Sequence, residues 1–248
     1  MSPQIHADET GIYVEKLRQW LFSYSNKNYT FYDFHKKRGK EAMDFIGFME
    51  KYRGIVTHDC WKTYEAYENC LHSFCNAHFL RELNGIMETT DFEFPRKIKE
   101  TLLSMKKLVD TRNHISKEVK DSMISLYHSQ LNEGFEEELK TNPTNFRKTG
   151  KQGRKKQSPS KNLLLRLSKI PEVLGFFIKP NLIPFDNNLA ERDIRMIKVK
   201  QKVSGLHRSK KGAKQFCRIR GYISTIAKNN LNIWESIKSI FLGNPIMP

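Results

Sequence analysis

The chain has 248 residues, 38% of them hydrophobic and 28% charged, which describes a globular protein and excludes a disordered one. No apolar run approaches the ~18 residues of a membrane span, and the start, MSPQIHADET, lacks the basic and apolar regions of a signal peptide, so the cytosol is the expected compartment. The formal net charge of +16 points to nucleic acid as partner first and an anionic membrane second, and says nothing about fold.

Residues 5–15 read as a strand through HADETG. Residues 19–24 and 29–35 are short and aromatic, and the polar SNKN between them predicts a hairpin, hence three successive antiparallel strands. The period then changes. Ala42, Phe45, Ile46 and Met49 recur at helical spacing, so 39–52 is predicted helical. Residues 54–60 (GIVTHDC) are a short apolar run ending in an acid, which after a helix suggests a buried parallel strand. A helix over 61–69, a strand over 71–74 and a helix over 79–89 complete an α/β pattern. From 95 to about 139 only helical spacing is found, and 141–160 is a basic linker rich in Gly and Pro. Residues 163–177 return to helical patterning broken by Pro171. Residues 184–195 (PFDNNLAERDIR) read as a loop entering a helix with Ala190, Ile194 and Ile197 on its apolar face, and two more helices are expected near 213–229 and 233–242. The organisation expected is a core opened by 1–94, interrupted by a helical insertion with its basic linker over 95–180, and completed by 181–248.

Three acids stand out. Asp8 lies on the first strand, Asp59 ends a later strand, and Glu191 falls in the first turn of the helix after the loop. Carboxylates at strand ends and on a nearby helix can converge to hold two divalent ions roughly 4 Å apart, a pair that stabilises the attacking and leaving oxygens of an in-line phosphoryl displacement. Magnesium, which takes oxygen ligands and retains water, suits such a set. Acids on a basic surface oppose phosphate, and metal ions remove that conflict. Asn188 with Glu191 also fits a capping box, in which the carboxylate only satisfies a backbone N–H. Glu9 is expected on the opposite strand face from Asp8, Asp186 reads as a turn or cap residue, and Asp193 is expected to face away from Glu191.

The charge is uneven. Residues 147–169 carry nine Lys or Arg and no acid, and 192–220 carry eleven against the single Asp193. Two such runs flanking the loop–helix segment favour a phosphate-binding surface over a merely solvated face. Arg154, Lys155 and Lys156 in the linker, Arg192, Arg195 and Lys198 on the helix, and Arg208, Lys210 and Lys211 in the Gly205–Gly212 loop are the candidate DNA contacts, with an ion pair to Glu191 as the alternative for Arg195. Four cysteines in a chain without a secretory signal do not make a disulfide framework. Cys75-x2-His78 has the spacing of half a zinc site, with Cys70 and His72 nearby. Four ligands within nine residues are tight for one tetrahedral ion, so packing or DNA contact is favoured over structural zinc. For Trp61 and Tyr64, helix packing is favoured over base stacking.

His6-Ala7-Asp8-Glu9-Thr10-Gly11, Thr57-His58-Asp59-Cys60-Trp61-Lys62-Thr63-Tyr64, Cys75-Asn76-Ala77-His78 and Asn187-Asn188-Leu189-Ala190-Glu191-Arg192 resemble, in order, successive motifs of the insertion-sequence-66 family transposases. The resemblance runs from about residue 5 to 242. It implies an RNase H-like fold of mixed sheet and flanking helices, with a helical insertion before the last catalytic helix. It implies Asp8, Asp59 and Glu191 as a DDE triad holding Mg²⁺ or Mn²⁺, with Cys75 and His78 the accessory motif positions. The implied reaction is metal-dependent cleavage at element ends followed by attack of the freed 3′-hydroxyl on target DNA. The implied setting is a nucleoid-associated cytoplasmic protein, acting as a homo-oligomer on transposon-end and target DNA, with accessory transposition proteins as further partners and no membrane. Family members carry a substantial region before this segment, and Met1 stands only seven residues before Asp8. The chain is therefore expected to be a catalytic core without an end-recognition module. A truncated, catalytically silent DNA-binding remnant and an RNase H-like nuclease without strand transfer remain as alternatives.

Overall fold

The structure is a computed structural model that describes residues 2–112, 114–142 and 157–247. It is a mixed α/β fold built on a five-stranded mixed sheet with helices around it. The chain divides into two compact units, one formed by 2–72 with 187–247 and the other by 73–186. Among the described residues no helix is long and apolar enough to cross a membrane.

The first unit opens with a meander: β1 (Gln4–Val14), β2 (Leu17–Ser25) and β3 (Thr30–His35), all antiparallel. The predicted SNKN turn closes the β2–β3 hairpin, where Asn26 Oδ1 accepts from the amides of Asn28 and Tyr29. The β1–β2 turn is tighter than the sequence suggests. Glu15 and Lys16 both adopt positive φ (54° and 66°), the geometry of a two-residue primed turn normally given to Asn or Gly. The Glu15 amide donates to His207 O, which helps to hold the turn.

Helix α1 (Lys40–Ile46) ends at Gly47, whose left-handed φ of 69° lets its N–H reach Met43 O. It is shorter than the predicted 39–52. After it, β4 (Ile55–His58) runs parallel to β1, α2 (Lys62–Glu65) is a single turn, and β5 (Leu71–Phe74) completes the sheet order β3-β2-β1-β4-β5. Helices α8 (Asn188–Ser204), α9 (Lys210–Lys228) and α10 (Ile233–Phe241) follow in the same unit.

Strand alternation sends the two faces of β1 into different cores. Ile5 and Ala7, with Phe22 and Tyr24, pack against Ala42 and Met43 of α1 and Tyr64 of α2. Ile12 and Val14, with Leu21 and Tyr32, pack against Ile197 of α8 and Ala213 and Cys217 of α9. The sheet is thus covered on both sides, and α8 is the helix that lies over the face carrying His6, Asp8 and Thr10.

The joint between α8 and α9 is polar at its centre. Asp193 pairs with Lys228 at 2.7 Å and accepts from Thr30 and Ser224, with the Asp193 side chain 9% and that of Lys228 14% exposed. This explains Asp193 as a structural acid. Asp193→Ala strands a buried ammonium, so urea denaturation is expected to show a loss of ~3 kcal/mol; a change under 1 kcal/mol would show the pair to be superficial.

The second unit is helical: α3 (Asn76–Thr89), α4 (Phe94–Thr111), α5 (Lys117–Thr141), α6 (Pro159–Leu167) and α7 (Ile170–Ile178). The predicted break at Pro171 is the boundary between α6 and α7, where proline occupies the first turn of α7 and loses no helical hydrogen bond. Gly134 of α5 sits where a Cβ would come within 2.8 Å of both Leu164 and Phe94, so its lack of a side chain lets the helices close up. Buried Glu138 is satisfied by the hydroxyls of Ser158 and Ser160 and by Asn142 at 3.1 Å.

Candidate active site

Parallel pairing brings the two aspartates together. The β1–β4 ladder pairs Gln4 with Ile55, Ile5 with Val56 and His6 with Thr57, a constant offset of 51. Asp8 and Asp59 are separated by the same 51 positions, so the register carries one towards the other on strands ~5 Å apart. Asp59 stands just past the end of β4, where its Oδ1 accepts from the Trp61 amide at 3.0 Å. A chain of hydrogen bonds from Tyr67 O through His72 and His58 to Asp59 O fixes the backbone there.

Glu191 arrives from α8. Asn187 at the helix start bonds His6 Nδ1 through Oδ1 (2.9 Å) and donates Nδ2–H to Ala7 O (2.9 Å). Further along, Lys198 Nζ donates to Gly11 O and Ile197 packs with Ile12, so α8 runs along β1 in the same direction. Four helical residues rise ~6 Å and two strand residues ~7 Å, which sets Glu191 abreast of Asp8. Asn187, not Asn188, is the N-cap, and its side chain is committed to the sheet. Asn187 therefore registers the helix that carries Glu191. Asn187→Ala loses both bonds and is expected to cost ~2 kcal/mol in chemical denaturation; an unchanged midpoint would show the anchor to be dispensable.

The electrostatics of Asp8 register both other acids. Burial, then the charge of Glu9, then those of Asp59 and Glu191, push the Asp8 carboxyl up to about 7, against a lowering by the Glu9 amide that donates to it. Glu9 is also raised, by burial and then by Asp59, with Arg38 and Tyr64 offsetting part of this. As expected from alternation, Glu9 points to the other face, where it binds Arg38 at 2.5 Å and the Tyr64 hydroxyl at 2.8 Å. Half-buried Asp59 and Glu191 thus lie near enough to half-buried Asp8 to raise it, and carboxylate oxygens are the donor type that suits a hard divalent cation.

The family described as Transposase IS66 family matches residues 1–215 of the 248. The chain belongs to the IS66 transposase family. No curated protein and no solved structure matches it at a significant level. Membership makes DNA the substrate and a DNA-cutting and joining enzyme the activity class.

Other sequence candidates in this IS66-family chain fall differently. Arg192, Arg195 and Lys198 are exposed along α8, and Arg208, Lys210 and Lys211 are exposed around the start of α9. The backbone of the 205–212 loop is largely committed: His207 pairs with Tyr13, the Lys210 amide donates to Glu15 and the Gly212 amide to the capping Ser209. Any phosphate grip there rests on side chains. Arg154, Lys155 and Lys156 lie outside the described residues. Cys75 is the buried N-cap of α3, and His78 sits in its first turn with the amide bonded to Cys75 O. Both ring nitrogens of His72 are engaged, by His58 and Tyr67 O, and Cys70 donates to Tyr67 O.

Proposed function

We propose that this chain is the catalytic core of a DDE-type DNA transposase on an RNase H-like fold, with Asp8, Asp59 and Glu191 as the ligands of Mg²⁺ or Mn²⁺. The observation that carries this is that acids from a strand end and a helix both bear on the buried strand carboxyl of Asp8, which burial and Glu9 first, then Asp59 and Glu191, push up to about 7. The three-stranded meander, the parallel β4 and the carboxylate helix over β1 support the fold assignment.

When bound, the ions neutralise this crowded negative charge and stabilise the attacking and leaving oxygens of phosphodiester cleavage and strand transfer. The chain's own residues position the donors: the Glu9 amide and Trp61 amide orient Asp8 and Asp59, and Asn187 sets the height of Glu191. The cations of α8 and α9 supply the sequence-independent hold on DNA. A homo-oligomer on DNA belongs to the same reading, since two transposon ends must be joined.

Calorimetric titration of Mn²⁺ tests the site. Saturable binding that Asp8→Asn and Glu191→Gln both weaken is expected, and binding indifferent to both substitutions would remove the metal-centre reading.

A further inference from the structure

We propose that Arg38 is a positioning residue for Asp8 and Asp59: from the far face of β1 it ties together Glu9 and Trp61, the two residues whose amides orient those acids. The inference deepens the metal-centre reading above and rests on it for its consequence.

Alternation along β1 turns Asp8 to the α8 side of the sheet and Glu9 to the α1 side. The β1–β2 register pairs Glu9 with Phe22 and Gly11 with Trp20, so Trp20 stands on the Glu9 side, and Trp61 packs against the same core. Arg38, in the connection between β3 and α1, enters this face. Its guanidinium donates to Glu9 Oε1 at 2.5 Å and lies 4.7 Å from the Trp20 ring centre and 4.2 Å from that of Trp61. A planar guanidinium can stack on indoles and still give in-plane N–H donors to a carboxylate, which an ammonium cannot. The Glu9 side chain is only 3% exposed, and its other oxygen accepts from the Tyr64 hydroxyl at 2.8 Å. Tyr64 in turn meets Trp61 edge-on, with ring centres 5.5 Å apart. Two paths therefore run from Glu9 to Trp61, one through Arg38 and one through Tyr64.

The backbone of these same two residues serves the acids. The Glu9 amide donates to Asp8 Oδ1 at 2.8 Å, and the Trp61 amide to Asp59 Oδ1 at 3.0 Å. Asp8 sits within a strand whose ladder holds it. Asp59 and Trp61 lie beyond His6–Thr57, the last pair of the β1–β4 ladder, and α2 after them is a single turn with little stability of its own. Side chains must hold that turn, and the Arg38 stack fixes its indole against Glu9 of β1. A displaced Trp61 carries its amide away from Asp59, so the support acts on the orientation of the Asp59 carboxylate relative to Asp8. Arg38 touches neither acid and acts through its two neighbours.

The test joins Mn²⁺ calorimetry to spectra of ¹⁵N-tryptophan-labelled protein in chelator. The chain has three tryptophans, so three backbone amide signals are seen, and Trp61→Phe assigns one by removing it. Arg38→Lys keeps the charge and loses the plane; Arg38→Gln keeps a planar donor and loses the charge. In both, the Trp61 amide proton is expected to move upfield, as a weakened bond to Asp59 requires, and Mn²⁺ affinity to fall about tenfold, the usual scale for a group that supports a ligand. Arg18→Lys, altering a cation that stacks on Trp20 alone, is the control and should leave both readings as in wild type. Melting curves show which variants are folded. Folded Arg38 variants with an unmoved Trp61 amide and unchanged Mn²⁺ affinity, however much less stable, would reduce Arg38 to a packing role and overturn the proposal. A wild type that binds no Mn²⁺ while the Trp61 amide still moves in both variants would sink the metal-centre reading and leave the positioning of Asp59 by Arg38 standing.

Discussion

Asp8→Asn is expected to make the metal-free protein more stable at pH 8, by on the order of 3 kcal/mol, while leaving it nearly unchanged at pH 4. The sign follows from the raised pKa. In the fold the Asp8 carboxyl titrates near 7, against 3.8 for an unperturbed aspartate. Between these values the folded chain holds a proton that the unfolded chain has released, so stability falls as pH rises from about 4 to about 7. Asparagine cannot carry the charge and still offers an oxygen to the Glu9 amide. Thermal melting in chelator at the two pH values measures the effect. Adding Mn²⁺ at pH 8 should then reverse the ranking, stabilising the wild type and not the variant. A variant that melts below wild type in chelator at pH 8 would mean that the carboxylates do not strain the empty site.

Glu191→Gln is expected to reduce cleavage of end DNA at least ~10³-fold, because several kcal/mol of transition-state stabilisation depends on the ligand set. The substitution is isosteric on an exposed-to-buried boundary of α8, so helix content should not change. DNA affinity and its salt dependence should persist, since these come from the Lys and Arg side chains. A nicking assay followed by strand transfer into a target plasmid reads both steps. Retained cleavage in the variant would remove Glu191 from the mechanism. A wild type that binds but never cuts would make the chain a DNA-binding remnant, and one that cuts without joining would make it a nuclease.

Much of what positions the candidate site is legible in the sequence. The switch from period 2 to period 3.6 after residue 39 marked the meander and the helix that follows, because side-chain direction repeats locally in both elements. The two aspartates were visible as a strand residue and a strand-end residue, and the β1–β4 register now accounts for their spacing. The apolar stripe Ala190, Ile194, Ile197 correctly placed Glu191 next to the buried face of its helix.

Other features left no local trace. The primed turn at Glu15–Lys16 uses residues that do not signal it, since its geometry is imposed by the strands on either side and by His207 far along the chain. Asn187 looks like any helix cap, and only the closeness of His6 and Ala7, some 180 residues earlier, shows it to be an anchor. Asp193 resembles a spare acid until Lys228 and Thr30 are brought around it. Arg18 and Arg38 are two cations among 43 Lys and Arg until the sheet stacks them on Trp20. Residue order therefore specified the elements, the acids and the basic character, which depend on neighbours a few positions apart. Which acids come near one another and which one closes a salt bridge depend on partners far apart in sequence, and folding alone brings those together.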